Sequence, residues 1–395
     1  MKYLLIDSNN LACRCAFSQE QLTNTSGIPS GVHFGVMQSL ILLKKKFRDY
    51  QFLMVWDGKS IRRKGESECG VKNGIIPLAY KENRKKGEEM PKPLKDFYSQ
   101  SPYLQRGIGT TGIPQIRIPD LEADDVIASY CNILKKDNEV IVVTSDKDYY
   151  QLLDKNVKIW DGMGEKEVTK EYWCKENGLV PSQFIDVGAF MGDAGDGIYG
   201  CPGWGEKTAI KEVKKHGSWE KVIAAYEKEF GELRKEYPDL CNSESWIEAE
   251  RVIDAKKVFD DFRVTKSDPD NENSRLKYPD IDFEMPYTGV AMAFEKGLVK
   301  MPKTTLMALM FQKRIKLAYS LKKMDYIESL PAIEPEAFDK QKLTEYFEYY
   351  DIHSLYNDVD VFGNWNNSDL DPNTLDPSDI TEIDDVGSIS SLGKP

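Results

Sequence analysis

Three short apolar segments that each end in an aspartate constrain the fold of this chain more than any other feature. The segments KYLLID, QFLMVWD and EVIVVTSD end at Asp7, Asp57 and Asp146, and IPQIRIP is a further short strand. Residues 31–47 and 122–136 lie between them and have the spacing of helices. Strands that alternate with helices predict an α/β fold with a mostly parallel central sheet flanked by helices. Ligands in such folds bind at the carboxyl ends of the strands, where the three aspartates fall.

Further acidic residues follow in three motifs. LEADDVIASY contains Glu122, Asp124 and Asp125, and the spacing of three places Glu122 and Asp125 on one face of a helix. Stabilisation of the helix N-terminus is the alternative interpretation of this group. TSDKDYYQLL adds Asp148 to Asp146, and MGDAGDGIYG adds two acids in a glycine-rich loop. We expect nine carboxylates to converge on one end of the sheet: Asp7, Asp57, Glu122, Asp124, Asp125, Asp146, Asp148, Asp193 and Asp196.

An oxygen-only cluster of this kind selects hard cations. The seven cysteines form no CxxC pair, and none of the three histidines lies near an acidic motif, so we expect free thiols and no catalysis by histidine. Carboxylates favour Mg²⁺, for which Mn²⁺ can substitute. Two such ions roughly 4 Å apart cleave phosphodiester bonds, because one activates the attacking water and both stabilise the developing charge.

The charge of the chain is concentrated at its C-terminus. The net charge is −12, and the residues from Asp358 onwards carry −8 of it, which leaves −4 for the remainder. A nucleic-acid partner is therefore not excluded, since basic patches can dominate a groove locally. The acidic tail has few large apolar residues, and we expect it to be disordered. It is either a solvating tail or an arm that binds a partner or mimics DNA. No apolar run is long enough for a membrane span, and we expect a monomer.

The order of six motifs indicates a family. LLIDSNN, VWDGK, YKENR, EADDVIA, TSDKDYYQL and GDAGDGIYGCPGWGEKTA resemble the flap endonuclease/5′–3′ exonuclease family. That family includes stand-alone bacteriophage 5′ nucleases and the 5′ nuclease domain of bacterial DNA polymerase I. The resemblance is densest from residue 1 to about 215 and resumes at 311–356. It implies a PIN-like nuclease core at 1–180, which includes an arch or clamp at about 75–110. A helical region at 181–356 would follow, with a duplex-binding helix–turn–helix at about 186–215 and an insertion at about 232–305. The tail would occupy 357–395.

The resemblance also assigns roles to the acidic residues. It implies that six of them form the inner metal shell, namely Asp7, Asp57, Glu122, Asp124, Asp146 and Asp148. Asp125, Asp193 and Asp196 would complete the site, some of them through water.

Basic residues of the YKENR motif would act on the phosphate. The resemblance makes Lys81 and Arg84 electrophilic partners of the scissile phosphate, and Tyr80 a stacking surface for a base. On a helix, Lys81 and Arg84 would face the same way. Lys85 and Lys86 begin the arch or clamp and would bind DNA. Because Pro91 and Pro93 lie in 85–110, we expect no continuous helix there and a segment that is poorly ordered until DNA binds.

The glycine-rich motif would hold duplex DNA. Gly200, Gly203 and Gly205 match the family's helix–turn–helix, in which backbone amides approach phosphates and a loop holds K⁺. Lys207 and Lys211 extend a basic stripe from it. Such contacts fix position without reading sequence, so we expect a structure-specific enzyme.

The expected function is that of a structure-specific 5′ nuclease, a 5′–3′ exonuclease and/or flap endonuclease. Its substrates would be 5′ flaps, nicked or gapped duplexes and RNA–DNA hybrid ends, with removal of RNA primers (an RNase H activity) or flaps in DNA replication or repair. We expect a cytoplasmic location in a bacterial or phage-infected cell, and contact with replication proteins through the acidic tail. One alternative is a PIN-type metal-dependent ribonuclease, although that class normally lacks the YKENR and glycine-rich elements. Another is a non-catalytic DNA-junction binding protein, against which the full acidic set argues.

Overall fold

The computed structural model describes residues 1–162, 166–236, 301–327 and 329–363. The predicted insertion at 232–305 and the tail beyond residue 363 lie largely or wholly outside these ranges. No helix among the described residues has the length and apolar character needed to cross a membrane. The strands and α-helices in chain order are β1 (Lys2–Asp7), α1 (Ser8–Ser18), α2 (Gly31–Lys46), β2 (Gln51–Trp56), α3 (Ile61–Lys72), α4 (Lys92–Gly109), β3 (Gln115–Arg117), α5 (Ala123–Leu134), β4 (Glu139–Val143), β5 (Val157–Asp161), β6 (Lys166–Val168), α6 (Lys170–Asn177), α7 (Phe184–Met191), β7 (Gly192–Asp193), β8 (Ile198–Tyr199), α8 (Glu206–His216), α9 (Trp219–Glu236), α10 (Lys303–Met310), α11 (Gln312–Lys322) and α12 (Lys340–Tyr349).

The central sheet has the order β3-β2-β1-β4-β5-β6. Every pair is parallel except β5 with β6, which confirms the predicted mostly parallel sheet. Strands β1, β2 and β4 are almost entirely buried, as expected for inner parallel strands covered on both faces. Asp7 pairs in register with Val55, so the ends of β1 and β2 lie side by side. The prediction omitted β5 and β6, which extend the sheet beyond β4.

The chain divides into two compact units that do not follow its linear order. Unit 1 contains Met1–Ser60, Lys85–Tyr172 and Met324–Pro395, and unit 2 contains Ile61–Arg84 and Trp173–Lys323. Two stretches fall outside a linear division of the chain at residue 180. Residues 61–84 belong with the helical unit, and the segment after residue 323 returns to the unit that holds the sheet.

In unit 1 the returning segment is fixed by the apolar core and by buried polar contacts. Leu343 and Phe347 of α12 are fully buried in the same core as the inward faces of α2 and α4. His33 of α2 is also fully buried, stacks on Tyr350 with ring centroids 3.6 Å apart, and hydrogen-bonds Tyr346. The His33 contacts join residues more than 300 positions apart, so the C-terminal segment is part of this unit's core.

In unit 2 the helix α3 is fixed by two arginines. Arg62 donates to the carbonyls of Ser320 and Lys323, and the buried Arg63 donates to the carbonyl of Leu321. These carbonyls lie at the C-terminal end of α11, where the last turn of a helix leaves acceptors unpaired. The helix α3 thus supplies the cations that cap α11.

The segment at 85–110 differs from its prediction. Residues Lys92–Gly109 form one continuous helix, α4, although the two prolines were expected to prevent it. Pro91 is the N-cap and Pro93 lies in the first turn, where a missing N–H breaks no helical hydrogen bond. The apolar residues Phe97, Leu104 and Ile108 are buried in the core of unit 1 and hold the helix in place. The expectation of a poorly ordered segment was wrong for α4.

The ordered part of unit 1 also extends into the predicted acidic tail. A 3-10 helix runs from His353 to Phe362, and Val359 and Phe362 are buried in the core. Asp358 and Asp360 form ion pairs with Lys45 and Lys340. The chain is therefore packed as far as Phe362, rather than ending at residue 356.

Candidate active site

Asp7 ends β1 and caps the helix that follows. Its Oδ1 accepts the N–H of Asn10 at 3.1 Å, and its Oδ2 accepts the hydroxyl of Thr144 at 3.2 Å. Burial, reinforced by the neighbouring carboxylates of Asp57 and Asp146, raises the pKa of Asp7 to about 7. A carboxyl that resists ionisation in this way is typical of a functional site.

Two asparagines after Asp7 tie the strand ends together. Asn9 accepts the N–H of Asp57 at 3.2 Å, which joins the ends of β1 and β2. Asn10 accepts the N–H of Ser145 at 3.1 Å and its hydroxyl at 2.9 Å, which joins β1 to β4. The prediction missed both residues, although their position directly after a strand-end aspartate was a usable signal.

The N-terminus of α5 brings more acids to this edge. Asp57 Oδ1 accepts the N–H of Ala123 at 2.9 Å, so the end of β2 is attached to the first turn of α5. Glu122 is the N-cap residue and is buried, and Asp124 Oδ1 accepts the N–H of Asp125 at 2.8 Å. The acids therefore also satisfy the helix N-terminus, so the two interpretations of this motif are compatible.

The turn after β4 completes the group. Asp146 Oδ1 accepts the N–H of Asp148 at 2.8 Å and shapes a 3-10 turn, Lys147–Leu152. Tyr149 of this turn is only 1% exposed. Burial raises the pKa of Tyr149 well above its usual value, and four nearby carboxylates raise it further: Asp7, Asp124, Asp146 and Asp57. A single phenol thus lies next to acids from β1, β2, α5 and the turn after β4.

Asp125 is placed differently from its neighbours. It is fully buried, and its Oδ1 accepts the N–H of Asp325 at 2.7 Å. One turn later, Ser129 Oγ accepts the N–H of Ile327 at 2.9 Å. Asp125 therefore attaches α5 to the returning segment of unit 1.

The residues at this edge fit a hard divalent cation in their chemistry. The predicted inner shell offers carboxylate oxygens without cysteine or histidine, and the buried hydroxyl of Tyr149 has no hydrogen-bond partner among the described residues. Burial of like charges is relieved by a cation. No group of three or more Asp, Glu, His or Cys side chains among the described residues is arranged to hold a metal ion in this conformation.

In unit 2 the predicted phosphate-binding residues surround Asp196. Arg84 and Lys81 form ion pairs with its carboxylate, and the Tyr80 hydroxyl donates to it at 3.2 Å. Burial alone would raise the pKa of Asp196, but Lys81 and Arg84 outweigh it and hold the pKa below its usual value. The predicted helix over this motif was wrong: the residues form a turn in which Lys81 has φ +58. Both cations nevertheless contact one acid.

The other acid of the glycine-rich loop also has a cation beside it. Asp193 Oδ1 accepts the N–H of Gly195, and its Oδ2 lies 3.4 Å from Nζ of Lys322. Lys322 is buried at the end of α11. It lies 129 positions after Asp193, and no local pattern in the sequence signals this pair.

The glycine-rich loop leads into α8, whose N-cap is Gly205. A side chain at Gly200 would lie 2.3 Å from the backbone of Phe190 and Gly192, and Gly203 has φ +77, so both positions require glycine. The four predicted DNA-binding lysines, Lys85, Lys86, Lys207 and Lys211, are exposed.

A parallel sheet with acids at its carboxyl edge, joined to a helical unit with a glycine-rich turn, defines a resolvase-like nuclease fold. Comparison with known proteins agrees. A family model of the 5′-3′ exonuclease N-terminal resolvase-like domain matches residues 2–178, and one of the 5′-3′ exonuclease C-terminal SAM fold matches residues 179–270. The chain belongs to the 5′-3′ exonuclease family and has the function of a 5′ nuclease.

Individual relatives cover different parts of the chain. A 5′-3′ exonuclease of Aquifex aeolicus is 29% identical over 279 residues, which are 70% of this chain and 88% of that protein. The thermostable DNA polymerase I of Thermus thermophilus is 31% identical over 223 residues, 56% of this chain but 25% of the polymerase. Among solved structures, the catalytic core of Rad2 in complex with a DNA substrate has a TM-score of 0.50 and 14% identity, covering 91% of this chain and 92% of that one. The last similarity supports the fold.

Proposed function

We propose that this chain is a structure-specific 5′ nuclease that depends on Mg²⁺ and hydrolyses phosphodiester bonds in DNA near 5′ ends or single-strand/duplex junctions. The observation that carries the proposal is the position of Asp7. It is buried beside Asp57 and Asp146 at the meeting point of three strand ends, and its pKa is raised to about 7. A protein keeps like charges together in this way where a cation or substrate compensates them.

Six acids of unit 1 would hold the metal, namely Asp7, Asp57, Glu122, Asp124, Asp146 and Asp148. A divalent cation bound there would supply an activated water and stabilisation of charge on the phosphate, and two cations would stabilise both the attacking and the leaving oxygen. The chain's own contribution is orientation. Asn9 and Asn10 fix the strand ends, and Thr144 donates to Asp7, so the carboxylates are positioned before a ligand arrives.

Residues of unit 2, and two lysines that shortly precede α4, would bind the nucleic acid. Arg84 and Lys81 are cations on a turn and suit phosphate oxygens, with Arg84 offering a planar fork of donors. The amides of the turn before α8, together with Lys207 and Lys211, suit a duplex backbone, and a K⁺ ion in that loop is part of the proposal. Lys85 and Lys86 would contact the 5′ single strand. That the Rad2 structure is a complex with DNA supports DNA as the partner.

The test uses a 5′-flap DNA with a labelled 5′ end. We expect cleavage near the junction with Mg²⁺ or Mn²⁺ and none with EDTA. The double variant Asp146→Asn with Asp148→Asn should lose cleavage by at least about 10³-fold, since each tenfold corresponds to about 1.4 kcal/mol and a metal supplies several.

The matched control is the double variant Asp137→Asn with Asp154→Asn. These two acids precede β4 and β5, at the opposite end of the same sheet, so cleavage should be unchanged. Absence of cleavage by the wild type at every Mg²⁺ or Mn²⁺ concentration would refute the nuclease proposal. Cleavage that survives Asp146→Asn with Asp148→Asn would refute the assignment of these carboxylates.

A further inference from the structure

The hydroxyl of Tyr149 is a buried polar group that has no role in the chemistry proposed above. Its side chain is 1% exposed, and its oxygen has no hydrogen-bond partner of ordinary geometry among the described residues. Leaving a buried hydroxyl unpaired costs about 1–3 kcal/mol. A phenylalanine would fill nearly the same space without this cost, so packing alone does not explain a tyrosine.

The surroundings of this hydroxyl are acidic. The carboxylates that act on it are, in order of strength, Asp7, Asp124, Asp146 and Asp57. Ionised carboxylates only accept hydrogen bonds, whereas a phenol can donate one. Tyr149 is therefore a donor placed among acceptors that come from four parts of the chain.

Asp7 is the acceptor to which this donor is best matched. Asp7 is the first of the four carboxylates in its effect on Tyr149, and the Tyr149 hydroxyl makes no regular hydrogen bond among the described residues. The other polar contacts of Asp7 come from Asn10 and Thr144, at 3.1 and 3.2 Å. A third donor would complete the set around a carboxylate that is otherwise surrounded by acids.

We propose that Tyr149 is a positioning residue of the carboxylate site, whose hydroxyl donates to Asp7 when a divalent cation is bound and holds that carboxylate in its ligating orientation. The inference rests on the proposed metal site and adds a residue to it. Groups that hydrogen-bond a metal ligand typically change metal affinity or activity by 10–100-fold when removed.

The test compares Mn²⁺ binding to the full-length wild type and to Tyr149→Phe, measured by calorimetry or electron paramagnetic resonance without DNA. We expect the variant to bind Mn²⁺ about tenfold more weakly. Its metal-free Tm should be equal or higher, because the change removes an unpaired hydroxyl and keeps the ring. In flap cleavage, the Mg²⁺ concentration for half-maximal rate should rise, and excess Mg²⁺ should restore most of kcat.

The control is Tyr150→Phe, the same change one residue later. The charged groups that act on Tyr150 are Asp161 and Lys166 rather than the four acids that act on Tyr149, so the Mn²⁺ affinity of Tyr150→Phe should equal that of the wild type. Equal Mn²⁺ affinity in Tyr149→Phe and wild type would overturn the positioning role and leave the proposed function standing. A wild type that binds no Mn²⁺ would overturn both. Tyr149→Leu, which also removes the ring, separates loss of packing from loss of the hydroxyl.

Discussion

Each unit of this protein has an aspartate at its candidate functional residues, Asp7 in unit 1 and Asp196 in unit 2, and the surroundings of the two treat the charge in opposite ways. In unit 1, burial and the neighbouring Asp57 and Asp146 raise the pKa of Asp7 to about 7. In unit 2, Lys81 and Arg84 hold the pKa of Asp196 below its usual value despite burial. The same residue type is thus kept short of its counter-charge at Asp7 and supplied with it at Asp196.

The difference shows what each group is built to do. Acids that repel one another destabilise the folded protein while no cation is bound. A bound cation relieves this repulsion, and the relief adds to the free energy of metal binding. Acids that are paired with lysine or arginine instead orient those cations, as Asp196 does for the turn that carries Lys81 and Arg84. Removing the carboxylate should therefore have opposite effects on stability at Asp7 and at Asp196.

The largest effect is expected for Asp7→Asn. Loss of a proposed ligand should lower flap cleavage by about 10³-fold, which corresponds to several kcal/mol. In metal-free protein at pH 8 the same change should raise the free energy of unfolding by up to about 4 kcal/mol, since each unit by which the pKa of Asp7 is raised is worth about 1.4 kcal/mol. The measurement is urea denaturation in EDTA beside a cleavage assay. Addition of Mg²⁺ should stabilise the wild type and not the variant.

Asp186→Asn is the matched control for this prediction. Asp186 in α7 is buried, accepts the N–H of Trp219, and has its pKa raised to about 6 by burial and by Glu220. It should gain stability in the same direction while cleavage stays at the wild-type level. If Asp7→Asn loses stability, the idea that unit 1 keeps uncompensated charge is wrong.

A second prediction compares two adjacent acids within unit 1, Asp124 and Asp125, in their effects on stability and on cleavage. Asp125→Ala leaves the N–H of Asp325 without its buried acceptor and should lower the free energy of unfolding by about 1–3 kcal/mol. Asp124→Ala should change stability far less, because Asp124 is partly exposed, but should lower cleavage as a proposed ligand. Cleavage by Asp125→Ala, measured well below its Tm, should remain within about tenfold of wild type. A loss as large as that of Asp124→Ala would show that Asp125 acts as a ligand itself.

The sheet and its acidic edge could be predicted because their signals are local. An apolar run of strand length followed by Asp identifies the end of β1, β2 and β4, and the parallel arrangement then brings those ends together. The contacts that fix the acids could not be predicted in the same way. Asp125 meets Asp325 across 200 positions, and Asp193 meets Lys322 across 129. No pattern within a short window contains such pairs.

The helix α4 shows a second limit of prediction from sequence. The rule that proline disrupts a helix was applied without regard to where in the helix each proline lies. Proline disrupts a helix interior, but Pro91 and Pro93 lie at the start of α4, where proline is tolerated. Pro102 does lie inside α4, where proline removes a helical hydrogen bond. Burial of Phe97, Leu104 and Ile108 then stabilises the helix through tertiary contacts. The prediction of a helix around Lys81 was wrong for a related reason. A turn with positive φ replaces the expected helix, although Lys81 and Arg84 still contact one acid.

The smallest effect is expected for Asp196→Asn in unit 2. The Asp196 side chain is 26% exposed and that of Arg84 is 50% exposed, so solvent screens their ion pair. The change should lower the free energy of unfolding by only about 0.5–1 kcal/mol. A double-mutant cycle with Arg84→Gln, measured by urea denaturation in EDTA, should give a favourable coupling of the same size that shrinks as salt is raised. Stabilisation by Asp196→Asn comparable to that by Asp7→Asn would mean that Asp196 is also short of counter-charge, and the contrast between these two aspartates would fail.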